Sequence, residues 1–410
     1  MRNLATRCVA DLGRAAMQPA RESRSRRQYG RLGRSLPLLL SVAVVSAISA
    51  SAAAAPYSYT DLGTLGGRES YAAAINNAGQ VVGSASLPGD EIRHATIWNG
   101  TKVTDLGTLG GPGSSAQAIN SAGTVVGSAR IVSDSVFGFH ASRWTGTTVT
   151  DLGALPGVEG SAALGINAAG TIVGASIEGQ PGSHPSVWKG ATVTELGRLG
   201  GLYGEARAIN QAGQIVGYDS LPEPGTSHAV LWDGATVTDL GTLGGSFSTA
   251  NAINDAGKIV GYSEVAADAA IHATLWNGVT ATDLGAFDGA NGGHSEAFGI
   301  NNVGQIVGYS QVSGVGSMHA VLWEGKSLID LNSFLDASTV AAGWTLTAAN
   351  GINDKGWIVG YADNSVTRES HAFLLSLPAV PEPQTWLVMF VGLAFVMVAA
   401  RTGRLLPSLQ

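Results

Sequence analysis

Between residues 57 and 377, apolar and polar positions alternate in short runs broken by glycine-bearing turns, and the whole pattern repeats itself about every 44 residues. Trp98, Trp144, Trp188, Trp232, Trp276 and Trp323 recur at intervals of 46, 44, 44, 44 and 47. Seven copies of Ile-Asn-x-x-Gly keep phase with them, their asparagines at 76, 120, 167, 210, 254, 301 and 353. Each unit reads as a strand of small residues ending in that motif, a strand of the Gln-Val-Val-Gly type, a variable loop, His-Ala-x-x-Trp, an x-Gly turn and Val-Thr-Asp-Leu-Gly. Four short strands per unit with turn chemistry between them predict the blade of a β-propeller.

The turns set a register. Asn76 to Gly79 closes the first hairpin, with asparagine opening the turn and glycine taking the positive φ. Asn99-Gly100 closes the second as a two-residue loop. With Trp98 opposite Thr101, His94 then falls directly across from Asp105. The same spacing pairs His140 with Asp151, His184 with Glu195, His228 with Asp239, His272 with Asp283 and His319 with Asp330, each a favourable cross-strand pair. His371 has no strand after it, and Asp61, in Tyr-Thr-Asp-Leu-Gly, has no histidine before it. The two orphans complete one blade if the ends meet. The expectation is therefore an all-β, seven-bladed propeller of four-stranded blades, closed by pairing strand 57–63 with the last blade. A β-solenoid is the alternative, and it would leave both orphans unpaired.

Small residues stand two and four positions before every asparagine, from Ala72 and Ala74 to Ala349 and Gly351, as expected where seven blades crowd around an axis. Length varies in the connections from second to third strand and from one blade to the next, which share one face: Leu87 to Arg93, Arg130 to Phe139, Leu221 to Ser227, Val265 to Ile271, Ala286 to Glu296 and Asn332 to Gly343. Loops on a rigid scaffold carry most ligand contacts.

Composition agrees with many short strands: glycine is 57 of 410 residues and charged residues only 13%. The single cysteine, Cys8, lies in a leader, so the domain is expected to be held by its core without disulfides. Setting aside nine leader arginines, Arg401, Arg404, Asp11 and Glu22 leaves twelve basic and twenty-eight acidic residues, a net of about −16 over 56–400. Nucleic acid is not expected as a partner, because phosphate binding needs clustered cations.

The leader, residues 1–55, has a basic n-region, an apolar run from Leu36 to Ala50 and a small-residue end at Ala52 to Ala55, the order of a secretory signal. The Sec route is expected, with Arg26-Arg27 allowing a twin-arginine route as the alternative. At the other end, residues 378–410 hold Val380-Pro381-Glu382-Pro383, an apolar segment over 387–400 with Trp386 before it, then Arg401 and Arg404. A short membrane helix with an interfacial tryptophan and cationic anchors is expected there. This tail resembles the PEP-CTERM sorting signal, which implies transient inner-membrane anchoring, processing by an exosortase near Pro381 to Pro383, and delivery to the outer surface of a Gram-negative cell with exopolysaccharide. Leu405 to Gln410 extend beyond the usual pattern. The repeats, with Asp-Leu-Gly-x-Leu-Gly-Gly, Ile-Asn-x-x-Gly-x-x-Val-Gly and His-Ala-x-Leu-Trp, resemble the extracellular HAF-repeat family over 57–377. Pro156, Glu195 and Leu375 depart from that pattern. The resemblance implies export and surface location, and no reaction.

Seven histidines in phase invite a metal reading, but they stand one blade apart on third strands and cannot converge on one ion, so no metal or cofactor is expected. The tryptophans are expected to pack between blades. His294 alone is off pattern, a surface-loop histidine in the connector from Asp288 to Glu296, and Asp288, His294 and Glu296 form a candidate binding loop. No Gly-x-Ser-x-Gly elbow, His-Glu-x-x-His, EF-hand or phosphate loop is present. The expected role is a non-enzymatic surface or matrix protein, with exopolysaccharide a possible partner; a glycan-directed propeller enzyme, using carboxylates in the central funnel, is the alternative.

Overall fold

In the computed structural model, described over residues 57–377 apart from 133–137, 179–181, 267–269, 288–292, 313–316 and Lys326, strands follow one another in sets of four. Blade one is Ser70–Ile75, Gln80–Ser86, Arg93–Asn99 and Lys102–Asp105, and each neighbouring pair runs antiparallel. Blades two to six repeat it over 110–151, 160–195, 204–239, 244–283 and 295–330. A single parallel bridge, Ser227 to Phe247, joins blades four and five at their edges. The expected leader, the expected sorting motif and the apolar segment 387–400 lie outside the described residues, and among the described residues no helix is long and apolar enough to cross a membrane.

Blade seven is built from both ends of the domain. Trp344–Ile352, Ile358–Asn364 and Ser370–Ser376 supply its first three strands, and Ser58–Asp61 adds the fourth, with Ser58 opposite Ser376 and Asp61 opposite Phe373. The ring is closed and seven-bladed. A solenoid has no place for this pairing.

A second ring of bonds closes with the first. Each buried asparagine of the Ile-Asn-x-x-Gly turns accepts backbone N–H bonds of its own turn through Oδ1, as Asn76 does from Ala78 and Gln80. Its Nδ2 donates to the carbonyl of the next blade's asparagine. The series runs from Asn76 through Asn120, Asn167, Asn210, Asn254, Asn301 and Asn353 and returns to Asn76, at 3.1–3.3 Å throughout. Buried amides left unpaired would cost far more than exposed ones, so this layer admits little but asparagine.

Packing lies between blades. Seven apolar clusters fill seven blade-to-blade interfaces, and the last joins Val359 and Leu374 of blade seven to Ala72, Val81 and Trp98 of blade one. Trp98, Trp144, Trp188, Trp232 and Trp276 are fully buried in them. Trp188, Trp232 and Trp323 donate Nε1 to carbonyls of the preceding connector, at Gly153, Gly197 and Leu284. A serine at the start of most inner strands ties the same seam, as where Ala95 N donates to Ser114 Oγ and Ser114 Oγ donates to Gly107 O. Blade three has Pro185, which lacks the N–H, in place of that alanine, and blade four has Gly204 in place of that serine.

The two sets of small residues serve different purposes, because every inner strand is bulged between them. The register shifts between Ala72 and Ala74, Ala116 and Ala118, Ala163 and Gly165, Ala206 and Ala208, Ala250 and Ala252, Ala297 and Gly299, and Ala349 and Gly351. Small residues two apart in a flat strand would share one face, and the bulge interrupts it. Residues after the bulge crowd the neighbouring blade: a Cβ on Gly165 would lie 3.0 Å from Arg207 O. Opposite the bulge, a Cβ on the second-strand Gly83 would lie 1.9 Å from Tyr71 O, and its six counterparts are as tight.

A candidate ligand-binding funnel on the axis

The x-Gly turns differ from expectation by a register step. Asn99 pairs with Lys102 and Trp98 with Val103, so the loop residues are Gly100 and Thr101 and the glycine, at φ +61°, takes the first central place. Asp105 therefore stands opposite Thr96, and His94 lies diagonally from it instead of directly across. The diagonal still brings the side chains together. His94, His140, His184, His228, His272, His319 and His371 place Nδ1 2.7–2.8 Å from Asp105, Asp151, Glu195, Asp239, Asp283, Asp330 and Asp61 respectively. An ionised carboxylate only accepts, so Nδ1 carries the proton. The aspartate also caps its own turn, as Asp105 Oδ1 does for Gly107 N at 2.7 Å. Glu195, one methylene longer, instead takes Arg198.

The hydrogen bond from His371 to Asp61, helped by the charges of Asp61 and Glu369 and opposed by burial, holds its imidazole above the usual histidine range. Folded-state affinity for the proton exceeds that of the unfolded chain. This closure contact thus stabilises the ring fully below pH 6.5 and loses that contribution as pH rises through the raised value. The seven pairs stay one blade apart, and among the described residues no three His, Cys, Asp or Glu side chains converge as metal ligands.

The candidate loop Asp288, His294, Glu296 is described only in part. Asp288 lies outside the described residues; His294 is half-buried, its Nδ1 accepting from Ile271 N at 3.3 Å, and Glu296 is on the inner strand of blade six. The connector's end is pulled into the sheet because Gln311 N donates to His294 O.

What sequence reasoning missed is the bulge. The unpaired residue in each inner strand is Ala73, Gln117, Leu164, Arg207, Asn251, Phe298 or Asn350, and these seven line one axial cavity of about 310 Å³ together with Glu205. Bulges re-aim side chains, which is why they recur beside active sites. A neighbouring cavity of about 280 Å³ shares Ala73, Gln117 and Asn350 and reaches Tyr71 and Arg93. Another, of about 220 Å³, lies at the tight-turn end among the isoleucine–asparagine steps and shares no lining residue with the first. The signal was legible in the aligned repeats: position three before the asparagine is chemically different in nearly every blade, between two positions that are always small.

Arg207 organises the funnel. It donates from Nη1 to Asn251 Oδ1 at 2.8 Å and from Nη2 to Glu205 Oε2 at 3.3 Å, with its guanidinium 5.3 Å from the Tyr218 ring. Its buried Nε has no partner among the described residues. Asn251 and Asn350 donate Nδ2 to Ala297 O and Ala72 O of the next blade, which fixes both amides. Nearby, Glu296 accepts from Tyr309 Oη at 2.9 Å, and burial holds its carboxyl above the usual range against that bond and the charges of Arg207 and His294. Burial and the charge of Glu205 push Tyr218 up to about 12.

The funnel is lopsided. After the second-strand glycine stand Ser84, Ser128 and Ala175 in blades one to three, but Tyr218, Tyr262, Tyr309 and Tyr361 in blades four to seven. Tyr361 meets Tyr71 edge-on at 5.2 Å and Tyr309 meets Phe298 at 5.7 Å, extending the aromatic side to blade one. A larger cavity of about 690 Å³ lies among the loops at Leu202, Tyr203, Pro222 and Pro224 and is mainly apolar.

The chain matches no known family model, and no curated protein matches it. Among solved structures it is similar to the β-propeller domain of the Trilobed protease from Pyrococcus furiosus, at 10% identity over 77% of this chain and 97% of that one, with a TM-score of 0.47. It is also similar to TolB from Acinetobacter baumannii, at 11% identity over 72% of this chain and 63% of that one, TM-score 0.40. A gluconolactonase from Xanthomonas campestris gives 12% identity over 80% and 93%, TM-score 0.37.

Proposed function

We propose that this chain is exported to the cell surface or matrix, where it binds carbohydrate through the funnel on its loop face without turning it over. The observation that carries this reading is that seven bulge residues, chemically different from blade to blade, converge on one cavity in an otherwise repetitive scaffold. Its lining is mixed, with Gln117, Glu205, Arg207, Asn251 and Asn350 beside Ala73, Leu164 and Phe298, which suits a ligand rich in hydroxyls.

Export by Sec and sorting by an exosortase rest on the leader and the Val380-Pro381-Glu382-Pro383 tail, and exopolysaccharide is the carbohydrate such a tail points to. The topology is compatible with display. Ser58 opposite Ser376 puts both described ends at the tight-turn side of blade seven. A chain tethered through its tail would leave the loop face clear.

A glycan-cleaving enzyme needs carboxylates free to exchange protons. Glu205 is bonded to Arg207 and Glu296 accepts from Tyr309, which favours binding over turnover. Purified protein on a glycan array, with product analysis in parallel, tests the reading. Binding without released sugar is the expected result. Released sugar would establish the enzyme instead, and neither signal would reduce the protein to a coat component.

A further inference from the structure

Resting on that carbohydrate reading, we infer that the funnel recognises glycans end-on, seating one neutral sugar ring at a chain terminus, with the Glu205–Arg207 pair as its reader. The funnel itself has room for one ring, and the neighbouring cavity of about 280 Å³ that shares Ala73, Gln117 and Asn350 continues it towards Tyr71 and Arg93. A cavity of about 310 Å³ falls at the bottom of the range of about 300–1,000 Å³ seen for small-molecule sites.

The layer below is lined by different residues. An isoleucine from every blade precedes the asparagine ring, and the cavity beneath that step shares no lining residue with the funnel. The funnel lining thus ends above that step, and a ring seated on it as a chain terminus need not pass the asparagine layer.

The polar groups suit hydroxyls. A hydroxyl both donates and accepts, and Glu205 Oε2 and Arg207 Nη2 stand 3.3 Å apart as acceptor beside donor, the complement of adjacent hydroxyls on a ring. Asn350 has committed Nδ2 to Ala72 O, leaving Oδ1 without a donor among the described residues. Phe298 and Leu164 offer the C–H face of a sugar an apolar wall. Charge selects against acids: Glu205 already answers the cation of Arg207, and Glu296 adds a second carboxylate within its field. An anionic sugar would bring a third negative charge into the funnel.

Titration calorimetry with methyl β-D-glucopyranoside, methyl β-D-galactopyranoside, N-acetylglucosamine and glucuronate, beside the polysaccharide that wild type binds, tests this. At least one neutral ring should bind and glucuronate should not. Arg207→Gln should weaken both ring and polymer about tenfold or more, as losing a charge-assisted hydrogen bond does. Gln117→Trp, which fills the funnel from an exposed position, should abolish both. Polymer binding unchanged in a folded Gln117→Trp variant would overturn the end-on site while leaving carbohydrate binding in place. Binding of polymer but of no single ring, or of glucuronate as well as any neutral ring, would also overturn it. Wild type that binds no glycan would overturn this inference together with the reading beneath it.

Discussion

Two layers of the same seven inner strands, three residues apart, obey opposite rules. At the tight-turn end all seven blades carry asparagine, because each amide satisfies its own turn and its neighbour's carbonyl in one closed circuit. At the bulge the same strands carry alanine, glutamine, leucine, arginine, asparagine, phenylalanine and asparagine. The bulge recurs in every blade, yet only Asn251 and Asn350 among those side chains bond a carbonyl of the next blade, so the fold does not ask for one residue type there. The repeated scaffold stops repeating at this position, and here that place is a cavity.

Breaking the scaffold layer should have the largest effects. Gly308→Ala would put a Cβ 1.9 Å from Glu296 O, a clash with backbone that no side-chain movement relieves. A loss of about 3 kcal/mol or more is expected in chemical denaturation, at the upper end of overpacking costs. Asn353→Ala comes next. It removes the bond to Asn76 O across the closure and leaves Lys355 N and Trp357 N without their acceptor, costing roughly 1–3 kcal/mol for each buried group left unpaired.

In the funnel layer the sign should reverse or the effect vanish. Burial holds the Glu296 carboxyl above its usual 4.5, so ionising it subtracts stability: the cost builds as pH rises past 4.5, is complete above the raised folded value and is absent well below 4.5. Glu296→Gln should therefore raise the melting temperature at pH 7, with the gain disappearing on acidification below about pH 4. A loss at pH 7 would place Glu296 with the scaffold. Smallest of all, Gln117→Ala should leave stability within about 0.5 kcal/mol, the range of unremarkable surface changes. A large loss there would end the distinction between the layers.

The sequence made the ring legible through its orphans. His371 without a following strand and Asp61 without a preceding histidine could be satisfied only by closure, and they lie 2.8 Å apart. The register within each outer hairpin was less legible, because x-Gly does not say whether glycine takes the first or second central position of the turn. The asparagine circuit was half visible. Its turn-forming role is local and can be read from spacing, whereas the bond to the next blade depends on how two blades sit together. The bulge could not be read from alternation at all, since small residues two apart look like one face of a flat strand until a residue between them is pushed out of the ladder. His294 misled for a related reason: a long glycine-rich connector reads as surface loop, yet its last residues are held by Ile271 and Gln311.

Closure of the ring by its two ends underlies both layers, and a cysteine pair reads it directly. Ser58 and Ser376 face each other across the last strand pair. Directly opposed strand residues are close enough for a disulfide. In a Cys8→Ser background, Ser58→Cys with Ser376→Cys should oxidise to an intramolecular bridge in the monomer, leaving no titratable thiol and raising resistance to denaturant. Two free thiols under the same conditions, or bridges only between molecules, would contradict a propeller closed at blade seven.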